Sequence, residues 1–329
     1  MTKDDSTAPG TAPSSPPTVG EEAMAFTLND LLTLTKFRLS ALVIVTTFVA
    51  FWLRAGTQMN FWLLLHTIIG STLAAFGAAV FNQLMEIEPD SRMSRTADRP
   101  LPAGRISPSL AFGLGWLLSA MGLIHLVHRV NMEAAALTAL TLATYLFIYT
   151  PLKKQSAVNT LVGAVSGALP PLIGWAGAAG MPDKAVAVSD KTTEYFRWSL
   201  LWEPGAIYLF MLLFLWQLPH FLAINWMYRD EYRRGGFVML ANNDELGART
   251  SRHALSWAVA MLLLMFYPVA YGLVKLWLFL PLALILNAWL CQRALVFQKN
   301  PERATARRLF FGTLIYLPVI LLITALAWK

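Results

Sequence analysis

The sequence predicts an all-α integral membrane protein built from nine transmembrane helices. Three observations carry this. Of the 329 residues, 56% are apolar and only 14% charged, whereas soluble domains carry about 25% Asp, Glu, Lys and Arg. The apolar residues gather in blocks near the roughly 20 residues that a helix needs to cross a bilayer. None of the blocks alternates as a barrel strand does, and hydrocarbon tolerates only helices or closed barrels.

In chain order the blocks run from Leu39 to Leu53, Phe61 to Phe81, Pro108 to His128, Met132 to Tyr149, Ala157 to Gly180, Pro204 to Ile224, Ala254 to Val274, Leu276 to Phe297, and Leu309 to Trp328. The first and fourth are short. In the fifth, Gly163, Gly167, Gly174 and Gly177 accompany Pro170 and Pro171, a composition for close helix approach and a local break that lines a cavity. Residues 1–25 are rich in Ser, Thr, Pro, Ala and Gly and read as a disordered cytoplasmic tail, leaving 26–329 as the transmembrane domain. The tail has neither the apolar core of a secretory signal nor the Arg-rich, acid-poor character of a transit peptide, which points to a bacterial inner (plasma) membrane. With the amino terminus in the cytoplasm, 19 of the 26 basic residues fall on the inside, as the positive-inside rule requires. The net charge of +7 follows from that topology and calls for no nucleic acid. A single cysteine, Cys291, excludes an internal disulfide and a thiolate metal site. No block carries Asp, Glu, Lys or Arg deep in its middle, where a transporter would mark its pathway.

Two long loops follow the second and sixth blocks, 82–107 and 225–253, and being four spans apart they open on the same face. Asn82, Glu86 and Asp90 are spaced by four and share one face of a continuing helix. Such hard oxygen donors suit Mg²⁺ with a substrate's phosphates. Arg92, Arg95 and Arg99 follow on one face, either as phosphate forks or as an ordinary solvated loop with local ion pairs. Pro89 sets Asp90 beyond a kink, and as a loop-end carboxylate Asp90 is expected to be dispensable for folding. Asp230 and Glu231 are adjacent and cannot share a helix face, so one of them faces solvent; Arg229, Arg233 and Arg234 surround them. Lys153 and Lys154 at the turn after the fourth block are topology determinants or point charges for a diphosphate. Of five histidines, His66, His125 and His128 fall toward the other face and His253 reads as interfacial. His220 ends the sixth block on the loop face and is the choice for contact with a metalloporphyrin or for handling a proton.

The run Asn82-x3-Glu86-x3-Asp90-Ser91-Arg92-Met93-Ser94-Arg95-Thr96-Ala97-Asp98-Arg99-Pro100-Leu101 resembles the first signature of the UbiA-type intramembrane prenyltransferases, in the version of their heme-modifying branch, the protoheme IX farnesyltransferases (heme O synthases). The agreement continues at Thr35-Lys36-x-Arg38, at Tyr149-Thr150-Pro151-Leu152-Lys153-Lys154 through Gly167 to Trp175, and at Pro219-His220-Phe221 leading to Arg229-Asp230-Glu231-Tyr232 and Gly235-Gly236. It covers everything but the tail. The resemblance implies a nine-helix bundle with a central cavity closed by loops. It also implies transfer of farnesyl from farnesyl diphosphate to a vinyl group of heme B with addition of water, giving heme O. Carried over, Asn82, Glu86 and Asp90 are catalytic and hold Mg²⁺-diphosphate, while Arg95, Arg99, Lys153, Lys154 and Arg229 bind phosphate oxygens. Asp230 and Glu231 form a reduced second acidic site, and His220 binds heme. The implied partners are the lipid bilayer and heme A synthase or the terminal oxidase assembly; the alternative acceptor is an aromatic quinone precursor. Two departures, Glu86 in place of the more usual aspartate and Pro89 between the acids, bear on the number of metal ions.

Overall fold

The structure is a computed structural model that describes residues 27–180 and 196–329; the tail expected at residues 1–25 lies outside this range. Among the described residues, nine helices are long and apolar enough to cross a bilayer. They are α1 (Phe37–Gln58), α2 (Phe61–Met85), α3 (Pro108–Arg129), α4 (Met132–Leu152), α5 (Asn159–Gly177), α6 (Pro204–Met227), α7 (Ala248–Ala270), α8 (Leu276–Lys299) and α9 (Arg303–Ala327). Each apolar block of the sequence coincides with one of them within a few residues; the fifth and seventh blocks run past the ends of α5 and α7, and several helices outrun their block. The clearest case is α6, which continues past Ile224 because its next turn, Asn225 and Trp226, is buried in the protein. His220 therefore lies within α6, about 10 Å from its end at 1.5 Å per residue, and does not end it as the sequence reading had it.

Helix starts follow local chemistry. Asn60, Ser107 and Asn131 each place a side-chain oxygen on a backbone N–H of the first turn of α2, α3 and α4, satisfying donors the helix cannot reach. Asn131 also donates to the carbonyls of Ala176 and Gly180, tying α4 to the end of α5.

Two helices are irregular where they approach the loops. Residues Thr144–Tyr149 of α4 form a π-helical turn. Pro151 has no N–H for the carbonyl of Phe147, and the Tyr145 carbonyl accepts instead from both the N–H and the hydroxyl of Thr150. Such insertions concentrate at functional sites. Here the wider turn stacks Tyr145 on Tyr149 with centroids 5.5 Å apart. In α5, Pro170 and Pro171 withdraw the N–H groups that would close on Ser166 and Gly167, and the helix breaks at Leu169 as its composition predicts.

The spans α5 and α6 form the centre, with 78% and 67% of their apolar windows buried against less than 51% in every other span. The second half of α5 packs on α1 and α4, and its first half on α6. Helix α2 runs along α3, while α6, α7, α8 and α9 close a second group in which α6 touches both α7 and α9. The α1–α5 contact has no spare room: a β-carbon on Gly174 would stand 2.0 Å from the Thr47 carbonyl oxygen. Gly174→Ala is expected to cost about 1–3 kcal/mol through overpacking, read as a lower melting temperature in detergent. Gly113→Ala is the control, since its β-carbon would meet nothing within 4 Å.

Candidate active site at the loop face

Helix α2 carries Asn82 in its last turn and stops at Met85, with Glu86 leaving helical geometry at φ −109°, ψ 14°. A short helix, Ile87–Ser91, restarts at once. The backbone hydrogen bonds nevertheless keep the fourfold spacing: Glu86 N–H donates to the Asn82 carbonyl at 3.1 Å and Asp90 N–H to the Glu86 carbonyl at 2.8 Å. Pro89 therefore sits in the first turn of the new helix, where its missing N–H does no harm. Asn82, Glu86 and Asp90 are at most 4% exposed.

Glu86 and Asp90 line a cavity of about 180 Å³ together with Lys36, Arg95, Arg99, Tyr149, Lys153, Asn159, Thr160 and Asn225. Each acid is matched to a base. Lys153 Nζ stands 2.7 Å from Glu86 and Arg99 Nη1 2.5 Å from Asp90, while Lys36 donates to the Asn82 amide oxygen. Asn82 is turned that way because its Nδ2 donates to the Thr150 hydroxyl at 3.2 Å. Arg95 has its guanidinium over the rings of Tyr228 and Tyr232, 4.9 and 5.8 Å from their centroids. Two carboxylates thus face four bases, a surplus of positive charge aimed into a cleft whose low-dielectric walls amplify its field.

Electrostatics follow from this crowding. Burial pushes the Glu86 carboxyl up, but the charges of Lys153 and Lys36 outweigh it and hold the group below its ordinary value. Burial lowers Lys153, and Glu86 with Tyr149 and Tyr145 more than restores it, so its ammonium is firmly held. Lys36 has no such partner; burial, with Arg99 beside it, lowers its ammonium to about 7. Lys36 is also the one non-glycine residue with positive φ among the described residues, at φ 48°, ψ 45°. Left-handed backbone at a side chain of this size is strain held by the surrounding structure, and such strain collects at functional sites.

The loop after α6 closes the cavity. Glu231 accepts from the N–H and the hydroxyl of Ser94 at 2.9 and 2.7 Å, Met93 packs in one cluster with Phe237 and Met239, and Val238 N–H donates to the Lys153 carbonyl at 2.7 Å. The two long loops therefore do share one face. Asp230, however, is not brought to the site: its side chain is 73% exposed and pairs loosely with Arg229 and Arg233. Lys154 is exposed as well. Arg229 stacks on Trp226 at 4.3 Å and donates to the Glu245 carbonyl. We expect Asp230→Ala to change kcat/KM by less than about threefold, whereas Glu231→Ala, which removes two charge-assisted bonds, raises KM for a prenyl diphosphate about tenfold. Parallel steady-state titrations of the two variants check this contrast.

His220 lies between the rings of Trp216 and Phe310, with centroids 5.1 and 4.9 Å away. Its Nδ1 stands 2.8 Å from the Thr313 hydroxyl. That hydroxyl gives its proton to the Phe310 carbonyl at 2.6 Å, so Nδ1 is the donor and Nε2 keeps its lone pair. His220 is outside the residues that line the cavity of the carboxylates.

The UbiA prenyltransferase family model matches residues 43–315. The chain belongs to this family. It is similar to the protoheme IX farnesyltransferase of Solibacter usitatus, 36% identical over 302 residues that span 89% of this chain and 96% of that one. In fold it is similar to a digeranylgeranylglyceryl phosphate synthase, with TM-score 0.71 at 16% identity over 91% of this chain and 98% of the other. A UbiA homolog from Archaeoglobus fulgidus bound to DMAPP and Mg²⁺ superposes with TM-score 0.61 at 10% identity, covering 90% and 99%.

Membership makes this an alkyl-transferring enzyme. Among the described residues, no three His, Cys, Asp or Glu side chains converge as a metal site. The cavity presents two carboxylates, and the Asn82 amide oxygen, one turn before Glu86 and outside the lining, accepts from Lys36; all are hard oxygens, and they fit a Mg²⁺ ion that completes its shell with substrate phosphate. Several lining residues had no role assigned from the sequence: Lys36, Tyr149, Asn159, Thr160 and Asn225. Lys36 reads in sequence as a basic flank of a span, and the two asparagines as polar ends of apolar blocks.

Proposed function

We propose that the protein transfers the farnesyl group of farnesyl diphosphate to the vinyl group of heme B with addition of water, giving heme O and diphosphate. The carrying observation is the buried Asn82–Glu86–Asp90 ladder, ringed by Lys36, Arg95, Arg99 and Lys153, at the loop end of a membrane bundle. The similarity to protoheme IX farnesyltransferases supports heme as the acceptor.

Ionisation of an allylic diphosphate moves negative charge onto the departing oxygens. Lys153 and Arg99, now on carboxylates, can pass to phosphate, and Arg95 and Lys36 meet it without first giving up an acidic partner. These contacts strengthen as the carbon–oxygen bond breaks, so they favour the transition state over the ground state. A Mg²⁺ ion held by Asn82, Glu86 and Asp90 would supply charge neutralisation to the leaving group. The loops latched through Glu231 and Ser94 keep bulk water from the allylic cation. His220, with Nδ1 committed to Thr313, offers Nε2 to the heme iron. We extend the proposal to a bacterial inner membrane, with the amino terminus in the cytoplasm from the basic-residue distribution, and to heme A synthase or the oxidase assembly as the taker of the product.

The test is mass analysis of heme extracted from membranes of a host that lacks heme O, with and without this protein. A gain of one farnesyl and one water is expected. Unchanged heme, with a prenyl group on a quinone precursor, overturns the acceptor.

A further inference from the structure

Besides its ion pairs, the cavity is lined by three neutral polar side chains whose hydrogen bonds can be followed atom by atom: Asn159 and Thr160 of α5 and Asn225 of α6. Asn159 spends both amide hydrogens, on the Ser156 carbonyl at 2.6 Å and the Val238 carbonyl at 2.8 Å. Its Oδ1 can only accept, and it faces the Thr160 hydroxyl at 3.4 Å. That hydroxyl has one proton to give, and giving it to Asn159 leaves lone pairs toward Asn225. Asn225 Nδ2 stands there at 3.5 Å. The chain of donors fixes the Asn225 amide with its NH₂ toward Thr160 and its Oδ1 turned away.

Asn225 is 5% exposed and lines the cavity, and among the described residues its Oδ1 has no donor. An amide oxygen held this way on a cavity-lining residue invites an O–H or N–H group. Diphosphate and heme propionates present acceptor oxygens and are repelled by it. The farnesyl chain presents neither kind of group. Water is the reactant with a proton to donate.

We propose that Asn225 Oδ1 holds the water molecule that adds to the vinyl group, a catalytic role that rests on the heme-farnesylation reading. The carbon–oxygen bond of farnesyl diphosphate breaks and its electron pair leaves with diphosphate. The vinyl π pair forms the bond between the terminal vinyl carbon and farnesyl C1, and positive charge passes to the vinyl carbon attached to the porphyrin. The held water gives an oxygen lone pair to that carbon, and its proton passes to a diphosphate oxygen, leaving the hydroxyl of heme O. In a cavity covered by the two loops, a water positioned in advance decides the fate of this cation. Without it the cation loses a proton from the adjacent CH₂ and closes to an alkene, a farnesylated heme lighter by one water.

The experiment incubates the purified full-length protein with heme B, farnesyl diphosphate and Mg²⁺ in ¹⁸O-labelled water and reads the ratio of hydrated to unhydrated farnesylated heme by mass. The parent protein is expected to give hydrated product carrying the label. Asn225→Leu, of similar shape but without an acceptor, should lower the ratio at least tenfold. Asn225→Asp, which keeps an oxygen at that point, should hold it near the parent value. Thr160→Val, which frees the amide to rotate, should lie between, and it decides the matter if the leucine variant does not fold. A parent-like ratio in Asn225→Leu and Thr160→Val overturns the proposal, as does complete loss of farnesylation in all three folded variants. A rise in the Mg²⁺ requirement with an unchanged ratio overturns it in favour of a metal ligand. A parent protein that makes no farnesylated heme fails the functional reading itself, a result distinct from all of these.

Discussion

Asp90→Asn is expected to lose about a thousandfold in turnover, the scale on which removal of one preorganised charge-stabilising group acts, and to unfold more readily than the parent. The two effects have separate origins. Turnover falls because an amide in place of the second carboxylate weakens the donor set for metal and diphosphate. Stability falls because Asp90 is 1% exposed and pairs with Arg99 at 2.5 Å. Breaking a buried ion pair from one side leaves a charge without compensation and costs on the order of 3 kcal/mol, less here in proportion to the 23% exposure of the Arg99 side chain. The buried pair runs against the expectation that a loop-end carboxylate is dispensable for folding. Adding Arg99→Gln removes the orphaned charge, so the double variant should regain part of the melting temperature and none of the activity. The coupling energy from the full cycle then measures the pair apart from the chemistry. Equal stability of Asp90→Asn and parent would show that the pair carries no folding energy.

How much of this was legible depended on whether a feature is one of composition and spacing or one of conformation. The nine spans were readable because bilayer thickness imposes a length on every apolar block. The Asn82–Glu86–Asp90 face was readable from its spacing, even across Pro89, since a break placed at a helix start costs nothing. The adjacency of Asp230 and Glu231 said that one of them must face solvent, and the sequence could not say which. In the structure Asp230 is exposed and Glu231 is spent on Ser94, because the partner lies 137 residues away in another loop. His220 lies four residues inside the end of its apolar block and seven inside the end of α6, since an apolar block ends where hydropathy falls while a helix ends where its backbone loses partners. The π turn of α4 has a local cause in Pro151, which removes the N–H that the Phe147 carbonyl would use, but a proline at a span end does not by itself announce a π turn. The left-handed Lys36 left no readable sign, because the surrounding structure holds that locally unfavourable backbone.

Lys36 supplies the other large effect, and its signature is pH. Its ammonium titrates at about 7 in the folded protein against 10.5 for an ordinary lysine. Between these values the unfolded chain holds a proton that the folded chain does not, so stability should rise as pH increases from about 7 toward 10.5. Capture of diphosphate should move the other way, because only the ammonium attracts the anion. We expect kcat/KM for farnesyl diphosphate, which reports the free enzyme, to fall through a midpoint near pH 7 as the amine loses its charge. Lys36→Met should lower kcat/KM about a hundredfold at neutral pH and flatten both profiles. Lys36→Arg keeps its charge at every working pH and should move the activity limb out of range while paying a steric cost for the wider head. Lys36→Gly separates the remaining term. It relieves the left-handed backbone at φ 48°, worth about 1 kcal/mol, and removes the buried ammonium, so it should be more stable than the parent and as inactive as the methionine variant. A parent pH limb that persists in Lys36→Met would assign the titration to another group.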